Sequence, residues 1–132
     1  MVQELILPAL KSEKIVVADR FLLSTIVYQG YAGKIAVDAI EQVGTIATGN
    51  TQPDLNFILD IPLEIASSRM TDSEMDRMER MGPDYHEQVR QGFLTHAKAD
   101  PQRFVVLDAT EPIDVLAEQI REIVASRLAT SP

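Results

Sequence analysis

Asp19 and Arg20 stand side by side after an unbroken apolar run, Ile15 to Ala18, and a helical pattern follows them directly. Opposite charges at such a junction have a chemical use. A carboxylate there can hold a hydrated Mg²⁺ or a ligand hydroxyl, and a guanidinium fork matches phosphate oxygens. Taken alone, the pair is explained slightly better as an ion pair closing a strand-to-helix turn. Just downstream come Ser24, Thr25, Tyr28 and Gln29. Ser24 and Tyr28 share one helix face, and Thr25 with Gln29 form the adjacent row. Between them Phe21, Leu22, Leu23, Ile26 and Val27 are strongly apolar. That helix is therefore expected to be well buried, and its polar residues to need a partner. A base held by these side chains, with its phosphate on Arg20, would be one.

Other candidates are weaker. Arg69, Arg77 and Arg80 surround a short charged, Met-containing stretch, TDSEMDRMERMGP over 71–83, that joins two helical patterns. A closing flap that carries arginines onto a transferring phosphoryl group stabilises that transition state. A solvated connection between helices fits the same composition equally well. His86 and His96 carry no metal-ligand spacing and read as exposed helix residues. GYAGK at 30–34 has a superficial likeness to a phosphate loop, but Ile35 occupies the hydroxyl position and a helix, not a strand, precedes it.

The elements that must position these residues follow from hydropathy. IVVAD (15–19), LNFILDI (55–61) and RFVVLDA (103–109) are apolar runs rich in β-branched or aromatic residues, each with an Asp near its end. Runs without strict alternation indicate strands covered on both faces, hence a parallel sheet with helical crossovers. In such sheets ligands bind beyond the carboxyl ends of the strands, where Asp19, Asp60 and Asp108 fall. Asp60 and Asp108 read by default as caps for the helices that follow. Helices are expected over about 2–11, kinked at Pro8; from Arg20 to near Gly30; over 35–48, stopped by Gly49; and from Pro62. Asp84 with Glu87 suggests a capping box opening a helix to about 99. In the last helix Ile113, Leu116, Ile120, Ile123, Val124 and Leu128 make one core stripe.

Composition narrows the class. The 132 residues are 45% apolar and 24% charged, which suits one globular domain. A net charge of −8 with no basic cluster argues against a nucleic-acid partner but not against a small phosphorylated ligand. No apolar run reaches membrane-span length, no signal peptide is evident, and the absence of Cys fits a cytoplasmic setting.

Taken together, ILPAL, VVADRFLLSTIVYQG, PDLNFILDIPLE, DRMERMGPDYHEQVRQGFL and FVVLDATEPIDVLAEQI resemble bacterial thymidylate kinases, in the family's order and near its spacing, from about Ile6 to Val124. The Asp-Arg plus Ser-x-x-x-Tyr-Gln-Gly combination is the most specific part. The resemblance implies an α/β fold: a partial P-loop NTPase of nucleoside monophosphate kinase type, a doubly wound parallel sheet with three strands (about 15–19, 55–61 and 103–109) and flanking helices. It implies Mg²⁺-dependent phosphoryl transfer from ATP to dTMP, giving dTDP. By matching position, Asp19 and Arg20 would act on phosphates and, through water, on the metal. Thr25 and Gln29 would face the thymine, Tyr28 the sugar, and Ser24 would belong to the same substrate face. Arg69 and Arg77 would belong to a lid over about 69–83. Ala109, Thr110 and Pro112 would line the adenine site. A homodimer is implied as well.

The chain departs from that pattern. It starts where the family's third strand is about to begin, so residues 1–132 are expected to form a single incomplete domain without the glycine-rich phosphate loop. Its lid segment is poor in basic residues, and Lys34 stands where relatives often carry Arg. The family's first strand lies between the third and fourth, so IVVAD and LNFILDI lose a shared neighbour. Either they pair directly or something else fills the gap. The chain alone is expected to be inactive. A degenerate nucleotide-binding or oligomerisation module, and a kinase of another nucleoside monophosphate, are the alternatives.

Overall fold

The computed structural model describes residues 1–130, with the side chains at 77–79 outside that description. The N-terminal helix begins as a wide π turn, Val2–Ile6, and tightens into α1, Leu7–Lys11. The change falls just before Pro8. Its ring has no N–H and crowds the carbonyl one turn back, so the kink expected there takes the form of a widened turn. After an irregular stretch, α2 (Leu22–Thr25) runs directly into a second π-helical segment, Ile26–Ala32. Then come α3 (Val37–Thr48), β1 (Asn56–Asp60), α4 (Leu63–Ser68), α5 (Asp72–Met81), α6 (Pro83–Ala99), β2 (Phe104–Asp108) and α7 (Ile113–Thr130).

β1 and β2 pair in parallel, in register from Asn56 opposite Phe104 to Asp60 opposite Asp108. The ladder is prolonged at both ends, by Asn56 N–H to the Arg103 carbonyl (2.7 Å) and Ala109 N–H to the Asp60 carbonyl (2.8 Å). The two terminal aspartates are thereby set side by side at the carboxyl rim.

The third strand expected over 15–19 is not formed; among the described residues the sheet has two strands. Residues 15–19 make no backbone hydrogen bond, and Val17 is 91% and Ile15 66% exposed. A strand exists through its ladder, and neither edge of this pair is offered to the segment. Its apolar, β-branched composition is unchanged; the neighbour is what it lacks.

Helix α6 organises the core. It packs on both strands and on the wide segment 26–32. Val89 and Ala97 from α6 meet a core that includes Ile26, Val27, Ile58 and Leu107. Val27 is completely enclosed, which contributes about 1.5–3 kcal/mol. Close approach depends on Gly92, where a Cβ would lie 3.0 Å from both Val27 Cγ1 and Tyr31 Cγ.

Helix ends repay comparison with expectation. Gly49 stops α3 in the left-handed conformation, at φ 60°. Pro62 precedes α4 as its cap rather than opening it. The capping box expected at Asp84 and Glu87 is absent, because Gly82 at φ 80° caps α6 and Pro83 begins it. A box forms instead at Thr71, whose N–H and hydroxyl both donate to Glu74 Oε2 (2.8 and 2.7 Å). It starts α5, so most of the 71–83 connection is helix. In α7 only Leu116 of the expected stripe is buried. Ile120, Ile123 and Val124 are half-buried, Leu128 is exposed and Ile113 is 84% exposed.

Candidate functional site

Two clusters lie on either side of α6. The first gathers around Tyr28. The wider turn of the π segment carries Tyr28 against α6, its ring 6.3 Å edge-on from Phe93 and 6.5 Å from Tyr85. Over the same ring lies Arg20, its guanidinium carbon 5.5 Å from the centroid. Arg20 has φ 68°, a conformation that side chains other than glycine adopt at a cost. The backbone thus turns sharply at the Asp19-Arg20 step, and the arginine is swung back onto the helix that follows. It forms no ion pair with Asp19. The turn-closing pair that the sequence alone favoured is therefore not what holds the junction.

The polar residues near Tyr28 divide by row, as the helical spacing indicated. Ser24 and Tyr28 are half-buried, while Thr25 and Gln29 are exposed. Among the described residues none of these four side chains has a hydrogen-bond partner, so their donors and acceptors remain open to a ligand. Asp19 is exposed in the bend. His86 and His96, expected at the surface, are both half-buried; His96 packs edge-on to Tyr31 at 5.7 Å.

The second cluster lies at the carboxyl rim of β1 and β2. Asp108 Oδ1 accepts from the N–H (2.9 Å) and hydroxyl (2.6 Å) of Thr110, a local turn that replaces the expected helix cap. Those bonds, chiefly the hydroxyl one, hold the Asp108 carboxyl below its ordinary range, with help from the charge of Arg69. Arg69, at the end of α4, places Nη1 2.8 Å from the Ala109 carbonyl and Nη2 3.1 Å from that of Thr110. Arg69, Ala109 and Thr110, singled out separately in the sequence, are thus in contact. Pro112 is exposed, and its carbonyl accepts the N–H of Leu116 to begin α7. Arg77 falls within the backbone of α5, but its side chain lies outside the described residues.

Asp60 joins the two clusters. Rather than capping α4, its carboxylate receives both arms of Arg90 from α6, Nε to Oδ1 at 2.7 Å and Nη2 to Oδ2 at 2.9 Å. The hydrogen bond to Asp60 raises the Arg90 pKa above its usual value, and Glu87 adds to it. Sequence reasoning missed Arg90, because no local spacing links it to Asp60. Among the described residues no group of three or more His, Cys, Asp or Glu could hold a metal. A cavity of about 600 Å³, lined by Gln52, Asp54, Arg103 and Arg127 among others, lies at the amino ends of the strands, away from both clusters. No helix among the described residues is long and apolar enough to cross a membrane.

Parallel strands ending in aspartates, arginines gathered at the rim and a polar helix beside them define an α/β protein built to work at the carboxyl edge of its sheet. The chain is similar to the solved thymidylate kinase of Ehrlichia chaffeensis, which has the P-loop NTPase fold (TM-score 0.66, 30% identity, over 92% of this chain and 55% of that one). The thymidylate kinase family model matches residues 1–120, and the chain belongs to that family. Among curated relatives, the thymidylate kinase of Symbiobacterium thermophilum is 41% identical over 93% of this chain and 58% of its own length. That of Kosmotoga olearia is 38% identical over 91% and 58%. The chain therefore spans less than two thirds of the length of these relatives.

Proposed function

We propose that these residues serve a dTMP kinase, which transfers the γ-phosphoryl group of ATP to a phosphate oxygen of dTMP. A new P–O bond forms on dTMP, the bond between the γ-phosphorus and the bridging oxygen breaks, and ADP and dTDP leave. The observation that carries this reading is Arg20, held in a left-handed turn above Tyr28 in a chain of this family.

In this reading the Tyr28 cluster is the dTMP side. Arg20 is fixed over the ring and meets the phosphate with a guanidinium fork, a planar match that costs little reorganisation. Thr25 and Gln29 offer exposed hydrogen-bonding groups to the thymine, with Ser24 behind them. Tyr28 packs against the deoxyribose, where a 2′-hydroxyl would be crowded. The rim cluster is the ATP side, with Ala109, Thr110 and Pro112 beside the adenine. Arg69 is already committed to that turn, so Arg77 is the guanidinium left to close over the donor phosphates as the 69–83 segment acts as lid.

The residues present suit Mg²⁺ in one manner only: Asp19 supplies a single exposed carboxylate, and the remaining ligands must be water and phosphate oxygens, as is usual for this ion. When bound, it would neutralise charge on the transferring group. Residues 15–19 become the third strand when a neighbour offers them a ladder. The G-x-x-x-x-G-K-[ST] motif does not occur in these 132 residues, so the polypeptide by itself is expected to bind nucleotide without transferring phosphate. The working enzyme is read as a cytoplasmic homodimer.

The partnerless state of 15–19 favours one alternative, a nucleotide-binding module without chemistry. Amide NMR during titration with dTMP, followed by an assay for dTDP, separates the readings. The expected result is shifts centred on residues 19–29 and no dTDP. Shifts absent from that segment would remove the dTMP site.

A further inference from the structure

The turn after β2 is satisfied in an uneven way. The N–H of Ala109 is taken by the Asp60 carbonyl (2.8 Å), that of Thr110 by Asp108 Oδ1 (2.9 Å), and that of Glu111 by the Asp108 carbonyl (3.2 Å). All three donors are consumed inside the turn. The acceptors differ. The carbonyls of Ala109 and Thr110 each receive one hydrogen from Arg69, and a carbonyl oxygen has a second lone pair. Ala109 and Thr110 are half-buried and Glu111 and Pro112 exposed, so the turn is open to a ligand on its outer side.

Resting on the proposed ATP side of the site, we propose that Arg69 is a positioning residue that makes this turn selective for a 6-aminopurine over a 6-oxopurine. Its two guanidinium nitrogens fix the Ala109 and Thr110 carbonyls as a pair, and the turn presents a base with acceptors but no donor. An exocyclic amine finds a partner there. An exocyclic carbonyl meets oxygen, with neither group satisfied, and such a mismatch discriminates more strongly than a change of size. Lysine cannot replace Arg69 in this role, because a single ammonium is a point charge and not a planar fork that spans two oxygens. The low pKa of Asp108 accords with a turn closed on itself, since its carboxylate is stabilised by Thr110 and by the charge of Arg69.

ADP and IDP differ at the purine 6-position, amino in one and oxo in the other, and share every phosphate contact. Each is titrated into the 132-residue chain, with the amides of residues 109–111 followed by NMR. The wild-type chain is expected to bind ADP about tenfold more tightly than IDP. Arg69→Lys is expected to bring the two within about twofold of one another, while amides in β1, β2 and α6 stay in place. Thr110→Val, which removes the hydroxyl bond to Asp108 and leaves Arg69 untouched, is expected to reduce the ratio partway. It serves as the second variant if Arg69→Lys perturbs the fold. Equal affinity for ADP and IDP in the wild-type chain, or a ratio unchanged in both variants, overturns the proposal. So does the absence of any nucleotide-induced shift at 109–111. In that last case a parallel titration with dTMP separates the failures: shifts at 19–29 keep the dTMP site standing, and their absence removes the kinase reading as well.

Discussion

Arg90 grips both oxygens of Asp60, at 2.7 and 2.9 Å, and so ties the middle of α6 to the carboxyl end of β1. The same helix turns Tyr85 and Phe93 toward Tyr28, while the Asp60 carbonyl anchors the Ala109 end of the rim turn. One ion pair thus sets the relative position of the two clusters. Both side chains are partly buried, at 31% and 22% exposure, so water screens the pair less than it would at an open surface. Arg90→Ala is expected to cost about 1–2 kcal/mol in urea unfolding, with Arg90→Lys recovering only part because lysine cannot bind both oxygens. No change in stability for Arg90→Ala would show that the pair holds nothing.

Asp108 provides a pH test. Its carboxyl is held below the ordinary 3.8, first by the Thr110 hydroxyl. A group depressed in the folded state supports its turn at pH values above the unfolded pKa, and that support fades as pH falls through the lower, folded value. Carboxyl ¹³C NMR should therefore show Asp108 titrating below 3.8, and Thr110→Val should move it upward. A normal titration in the wild-type chain would mean that the turn is not closed in solution.

The crossing of α6 over the Ile26–Ala32 segment should be intolerant of bulk. A Cβ at position 92 already sits 3.0 Å from Val27 Cγ1 and Tyr31 Cγ. Gly92→Val is expected to destabilise the chain by about 1–3 kcal/mol, read from its denaturation midpoint. It should also disturb the Tyr28 cluster through its neighbours. A neutral result would place the two helices farther apart.

Hydrogen exchange addresses residues 15–19. Without backbone hydrogen bonds their amides should exchange with almost no protection, while Ile58 and Leu107, buried in the paired strands, exchange slowly. Protection at 16–18 comparable to that of β2 would mean the segment has found a ladder.

The legible parts of this chain were those fixed by local chemistry. β1 and β2 follow from their β-branched runs, α3 ends where Gly49 requires, and the Ser24/Tyr28 and Thr25/Gln29 rows divide as helical spacing dictates. What stayed hidden depends on partners far along the chain. Residues 15–19 have a strand's composition, but composition supplies no neighbour. Asp60 and Arg90 meet only because α6 folds back over the sheet, and nothing near either residue announces the other. The Thr71–Glu74 box was present as a Thr-x-x-Glu pattern, yet the charged stretch around it read as a connection. Arg69 was legible as a functional arginine, whereas its grip on the Ala109 and Thr110 carbonyls needed the turn itself.

Calorimetric titration of the 132-residue chain with dTMP, set beside Arg20→Ala and beside thymidine without its phosphate, puts the central claim to the test. Binding of dTMP that weakens at least about tenfold for Arg20→Ala, and as much for thymidine, is the expected result. Equal heats for dTMP and thymidine, or an Arg20→Ala chain that binds dTMP as the wild type does, would contradict a phosphate site at Arg20.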